Sequence, residues 1–186
     1  MVEIKEMEET YILDNCPLGG PFDPFSSARG EYPGYGERAR EIRRRFFREV
    51  REKYGNCVLF AWDEGRIVGF LIFLPKLVAR KLGLRTSPED ELIDNTLVYV
   101  CMQIVPQYRN RKVGTELVNS LIDWAQQKGW ERIEAHHVHK GDDAEGWRWS
   151  WGVPKWERIG FRISGKYEVD LHDGRVQLFS VALDIG

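Results

Sequence analysis

An apolar, β-branched run over residues 97–105 leads directly into Pro106-Gln107-Tyr108-Arg109-Asn110-Arg111-Lys112-Val113-Gly114-Thr115-Glu116-Leu117, and an amphipathic helical pattern over 113–128 leads out. No other segment constrains the fold as tightly. Val113, Leu117, Leu121 and Trp124 recur as one apolar stripe. Gly129 stands where a helix C-cap belongs, and residues 132–138 read as the next strand. Strand, helix and strand in that order give a parallel pair joined by a right-handed crossover. The opening turn of such a helix carries amides with no internal partner, and its dipole favours an anion. Arg109, Arg111 and Lys112 add positive charge there, and Gly114 removes a side chain where backbone must approach a ligand. The segment is built to hold phosphate.

The rest of the chain supplies a sheet for that unit. Residues 3–13 read as a first strand, and 15–36, rich in Gly and Pro, as loop. Residues 37–54 form a helix whose buried stripe is expected at Ala39, Ile42, Phe46, Val50 and Tyr54. Residues 57–62 and 67–74 are strands joined through Asp63-Glu64-Gly65, a hairpin signal. A connection over 75–95 holds a short helical pattern and an acidic stretch. The run 96–105 is near-continuously apolar, which suits a strand covered on both faces. Residues 142–159 mix helical and irregular signals, with Gly152 and Pro154 expected as breakers. Strands at 162–171 and 176–183 close the chain around His172-Asp173-Gly174-Arg175. The packing natural to this order is α/β: a mixed, mostly antiparallel sheet of six or seven strands flanked by helices. At 186 residues a single domain over 1–186 is expected.

Net charge is −2, so no global basic field recruits nucleic acid or membrane. The opening Met1-Val2-Glu3-Ile4-Lys5-Glu6 carries charge where a signal peptide needs an apolar core. Cys16, Cys57 and Cys101 are widely spaced and lack a CxxC pair, which argues against zinc or a disulfide framework and fits a cytoplasmic protein. The arginine-rich helix over 37–54 reads as a solvated face carrying ion pairs, not as a nucleic-acid surface.

These residues resemble the GCN5-related N-acetyltransferase superfamily. Its core motif, Arg/Gln-x-x-Gly-x-Gly/Ala between a strand and a helix, is here Arg109-Asn110-Arg111-Lys112-Val113-Gly114. A second feature, an aromatic residue four positions before Gly-Phe, is Trp156-Glu157-Arg158-Ile159-Gly160-Phe161. There are three departures. Lys112 replaces the family's first Gly. Trp156 stands where many members carry a Tyr that protonates the leaving thiolate, and an indole N–H is no acid at this pH. The segment between Glu134 and Trp156 is also longer than usual. The resemblance implies the acyl-CoA N-acyltransferase fold, with acetyl-CoA wedged between the splayed strands 96–105 and 132–138. Pantetheine would pair with Met102, Gln103 and Ile104, and the diphosphate would rest on Arg109, Asn110, Arg111, Lys112, Val113, Gly114 and Thr115. It implies acetyl transfer to an amine acceptor in a ternary complex, with no metal, and a homodimer as a partner state. The rival is an acyl-CoA-binding sensor without turnover.

An attacking amine must lose a proton. In related N-terminal acetyltransferases a Glu fills the place of Glu134, here in Ile133-Glu134-Ala135, which makes it the first candidate base. Strand alternation puts His136 on the same face as the second. The other reading of Glu134 is a strand-end carboxylate paired with a Lys or Arg. His136, His137 and His139 lack a third ligand at metal spacing. Trp147, Trp149, Trp151 and Trp156 either wall the acceptor site or pack the segment onto the sheet.

Overall fold

The structure is a computed structural model that describes residues 2–13, 37–88, 93–141, 151–171 and 174–186. Among the described residues, seven strands follow the hydrogen-bonded order β1-β2-β3-β4-β5-β7-β6. They are β1 (Glu3–Glu6), β2 (Val58–Asp63), β3 (Arg66–Pro75), β4 (Thr96–Ile104), β5 (Arg132–Val138), β6 (Arg162–Leu171) and β7 (Gly174–Asp184). The helices are α1 (Glu37–Tyr54), α2 (Lys76–Lys81), α3 (Val113–Gln127) and α4 (Val153–Glu157). The chain divides into two compact units: Met1–Leu74 with Cys101–Leu121, and Pro75–Val100 with Ile122–Gly186.

In the first unit, β1, β2 and β3 pair antiparallel. The β2–β3 turn places Glu64 at φ 49° and Gly65 at φ 74°, the double left-handed geometry that a two-residue hairpin requires. The first strand is shorter than its pattern suggests. It stops at Glu6, because Tyr11 N–H donates to the Glu8 carbonyl at 3.0 Å and folds the chain into a turn. Helix α1 has the expected span but a rotated face. Arg43, Phe47 and Val50 are buried and Ile42 is 45% exposed. Phe47 wins over Ile42 because its turn lies against Cys57, whose thiol donates to the Phe47 carbonyl at 3.7 Å. The end of β4 runs beside β3, with Val105 N–H bonded to the Val68 carbonyl at 2.9 Å. Gly69 permits that approach: a Cβ there would lie 3.0 Å from the Gln103 carbonyl oxygen.

In the second unit, β4 and β5 are the parallel pair, in register from Thr96–Arg132 to Tyr99–Ala135. Antiparallel pairing then joins β5 to β7 and β7 to β6. Only Thr96, Leu97 and Val98 of β4 are fully buried; Tyr99 to Ile104 are half-buried, so the strand is not covered throughout as its composition suggests. At the end of α3, Gly129 adopts φ 76° while Trp130 N–H returns to the Ala125 carbonyl, a left-handed C-cap. Gly152 and Pro154, expected as breakers, start a helix among the described residues, and residues 142–150 before them lie outside that set. Gly152 is the N-cap of α4 and Pro154 sits in its first turn, where no amide is needed.

Candidate functional site

The first unit presents the basic turn before α3. Beyond β4, Pro106–Tyr108 forms a 3-10 turn, and Tyr108 and Arg109 amides donate to Val105 and Pro106 carbonyls. Two side chains brace it. The Tyr108 hydroxyl donates to Asp63 at 2.8 Å, and Arg109 Nε donates to the Ile104 carbonyl at 3.0 Å. The Arg109 amide and Nε are therefore committed to the turn, while Arg111 and Lys112 are exposed cations. The Arg111 guanidinium lies 5.7 Å from the Tyr108 ring centre.

Asn110 at φ 60° and Lys112 at φ 66° both take the left-handed conformation. Alternating backbone hand of this kind turns successive N–H groups toward one concave side, a geometry that suits an anion. It also explains the family's glycine. A residue at this φ pays about 1 kcal/mol unless it is Gly, and Lys112 bears that cost while placing a cation at the mouth of α3. Val113 and Gly114 are buried at the helix start. Met102, Gln103 and Ile104 are half-buried on β4, and Gln103 Nε2 donates to Cys101 Sγ at 3.7 Å.

The second unit holds a polar cluster around Glu134. The carboxylate is 0% exposed and meets Lys76, itself 1% exposed, at 3.2 Å. Ser87 donates to it twice, from its amide at 3.1 Å and from its hydroxyl. His136 Nε2 lies 3.2 Å from it and Arg132 Nε 3.5 Å. Burial pushes this carboxyl up, but hydrogen bonds from His136 and Ser87 and the Lys76 ammonium outweigh it and leave the pKa at about 2. On the other side of the imidazole, His136 Nδ1 faces Ser180 Oγ at 2.8 Å. Arg80 pins the strap that carries Ser87, through Thr86 Oγ1 at 2.9 Å and the Ser87 carbonyl at 2.7 Å.

Beyond His136, β5 bulges. His137 takes φ 59° and its amide donates to the Tyr167 hydroxyl at 2.7 Å, while the ladder register shifts between Ala135 and Val138. The Arg85 guanidinium lies 3.7 Å from the Tyr167 ring centre. Burial, then the Arg85 charge, lowers the His137 pKa, and burial lowers that of His139. Among the described residues no group of three or more His, Cys, Asp or Glu side chains is arranged to hold a metal. Trp156 is 2% exposed and touches Tyr99, Trp151 and Phe161 edge-on, with ring centres 5.1, 5.2 and 4.7 Å away. It is core, as the packing alternative holds. Trp147 and Trp149 lie outside the described residues, as do Cys16, the acidic residues Glu89 to Glu91 and the turn at His172 and Asp173.

Glu134 and His136 are thus adjacent, whereas Lys76, Ser87 and Ser180 escape sequence reasoning. Two of them leave a trace. Lys76 follows the apolar run of β3 without a break, and Ser180 is the lone hydroxyl within Leu178-Phe179-Ser180-Val181-Ala182. Ser87 leaves none, since a serine beside a proline reads as ordinary loop.

A mixed sheet with one parallel pair, and a cationic left-handed turn opening its crossover helix, define an acyl-CoA N-acyltransferase type of fold. Residues 23–146 match the acetyltransferase (GNAT) family, and the chain belongs to it. Solved structures agree on the fold. The ribosomal-protein-S18-alanine N-acetyltransferase of Escherichia coli is similar at 15% identity and TM-score 0.59, covering 100% of this chain and 95% of that one. A GNAT-family acetyltransferase of Streptococcus pneumoniae is similar at 19% identity and TM-score 0.58, covering 79% and 77%. A putative acetyltransferase of Salmonella typhimurium, solved with its cofactor acetyl-CoA, is similar at 19% identity and TM-score 0.57, covering 79% and 74%. Among curated proteins, none matches this chain. No described helix is long and apolar enough to cross a membrane.

Proposed function

We propose that this protein transfers an acetyl group from acetyl-CoA to an amine by direct attack. The observation that carries the reading is the turn of residues 109–115, with two left-handed residues, cations at Arg111 and Lys112 and the buried Gly114 at the opening of α3. The amides of Asn110 to Thr115 would take the diphosphate, and the half-buried backbone of Met102, Gln103 and Ile104 would take the pantetheine arm.

Glu134 and His136 act as one unit in this reading. A carboxylate held near pKa 2 accepts a proton poorly, but it remains an anion at every working pH. Its role is to orient His136 and to stabilise the imidazolium, and His136 is the group that accepts the proton. Trp156, enclosed by aromatic rings, offers no acidic proton, so the departing thiolate takes its proton from water.

A second reading rests on one observation. Glu134 and the His136 side chain are 0% and 4% exposed, which suits a chain that binds acyl-CoA as a sensor without turning it over. The test is free-thiol release from acetyl-CoA over a panel of primary amines and N-terminal peptides. Amine-dependent release supports the transferase. Saturable acetyl-CoA binding with thiol release at the water background for every amine supports the sensor.

A further inference from the structure

The buried cluster contains a chain of hydrogen bonds whose direction can be read. Glu134 accepts from Ser87 twice and lies beside the Lys76 ammonium, so it is a carboxylate and can only accept. His136 Nε2, 3.2 Å away, must then carry a hydrogen and donate it. In the neutral imidazole Nδ1 is left as the acceptor, and the partner it faces at 2.8 Å is the Ser180 hydroxyl. The proton order is Ser180 Oγ–H to Nδ1, and Nε2–H to Glu134. Both ring nitrogens are occupied, and the carboxylate is enclosed. An incoming amine therefore has no lone pair of His136 or Glu134 to meet.

Ser180 is differently placed. It is 8% exposed, and its cross-strand neighbour on β6 is Gly165. A Cβ added at Gly165 would lie 3.8 Å from Ser180 Cβ and 3.9 Å from Oγ, with no other described atom within 4 Å. The space beside the hydroxyl is open on the side where a side chain would normally stand.

We propose that Ser180 is a catalytic residue of this chain, the point at which the amine proton enters a relay from Ser180 to His136. The inference rests on the transferase reading above and names a residue that reading does not use. As the amine nitrogen bonds to the acyl carbon and the C–S bond breaks, the proton on nitrogen passes to Ser180 Oγ. The proton already on Oγ passes to His136 Nδ1. The imidazolium is balanced by Glu134 and returns its proton to water after product leaves, and the thiolate is protonated from water. The serine is regenerated in each cycle and carries no acyl group. The open position at Gly165 is where the small amine head would stand.

The test uses the full chain, acetyl-CoA and the best amine of the panel. Ser180→Ala is expected to lower kcat by about a hundredfold, the low end of the range for loss of general-base assistance, with KM for acetyl-CoA within about twofold of wild type. Ser180→Thr, which keeps a hydroxyl, should recover most of the loss. In mixtures of light and heavy water the wild-type rate should curve downward, as two protons in flight require, and become linear in Ser180→Ala. Gly165→Ala, whose Cβ would stand at ordinary contact distance, 3.8 Å from Ser180 Cβ and 3.9 Å from Oγ, should raise KM for the amine. Full kcat in Ser180→Ala, or an unchanged curve in that variant, overturns the relay. An acetyl group found on Ser180 during turnover also overturns it, in favour of a covalent route. A wild type that binds acetyl-CoA but acetylates no amine overturns the transferase reading itself, an outcome distinct from an active wild type matched by Ser180→Ala.

Discussion

Removing the Lys76 ammonium is the sharpest perturbation of the polar cluster. Lys76→Met keeps an unbranched apolar stem one atom shorter and deletes the charge. The carboxylate it leaves keeps the Ser87 amide at 3.1 Å, the Ser87 hydroxyl, His136 at 3.2 Å and Arg132 at 3.5 Å. At an effective dielectric of about 20, a charge pair near this separation attracts by roughly 5 kcal/mol. Part of that is offset, because the variant no longer desolvates an ammonium, and Arg132 still stands nearby. Breaking one side of a buried pair costs about 3–5 kcal/mol. The remaining donors place this case at the low end, about 3 kcal/mol. For a chain of this size that lowers Tm by roughly 6–12 °C. Urea unfolding of wild type, Lys76→Met and Lys76→Met/Glu134→Met measures it. The double variant, with no uncompensated charge, should recover at least half of the loss. A single-variant loss under about 1 kcal/mol would refute the claim that Glu134 depends on this partner.

Three further outcomes are expected. Lys112→Gly removes left-handed strain at φ 66° and should gain about 1 kcal/mol of stability while weakening acetyl-CoA several-fold through the lost cation, read by urea unfolding and calorimetric titration. The Glu134 carboxyl falls from an ordinary 4.5 to about 2 on folding, a difference worth about 3 kcal/mol; this stability is fully present above pH 4.5 and lost as pH falls toward 2, so Glu134→Gln should flatten that part of the curve of urea midpoint against pH. Gly69→Ala brings a Cβ to 3.0 Å from the Gln103 carbonyl and should displace the end of β4, costing about 1–3 kcal/mol and weakening acetyl-CoA binding in the same variant.

Where one interaction dominates a segment, its sequence is legible. The β4–turn–α3–β5 unit follows from periodicity, because a four-turn apolar stripe and a Gly at the C-cap leave little choice of register. The hairpin at Glu64-Gly65 is equally plain, since its turn needs two left-handed residues. Helix α1 shows the limit. Its apolar positions admit two faces, and tertiary contact with Cys57 selects Phe47 over Ile42, burying Arg43 on the way. Gly152 and Pro154 carry the same composition whether they end a helix or begin one, and only the following turn decides. Within the candidate site, Glu134 and His136 share a face by strand alternation. Their partners Lys76, Ser87 and Ser180 come from positions 58, 47 and 44 residues away from them, and no local pattern encodes such distances. Lys112 is the instructive case in the basic turn. Sequence alone does not show which way the chain turns at Lys112, whereas the structure puts it in the left-handed region that favours glycine and leaves its cation exposed.

The central claim is that the turn before α3 grips a nucleotide's diphosphate. Calorimetric titration of the full chain with acetyl-CoA, beside acetyl-pantetheine, tests it most directly, because the second ligand has the same thioester and arm but no diphosphate or nucleotide. One saturable site is expected for acetyl-CoA, with binding at least about a hundredfold weaker for acetyl-pantetheine, a gap of about 2.7 kcal/mol or more. Equal affinities for the two would contradict it.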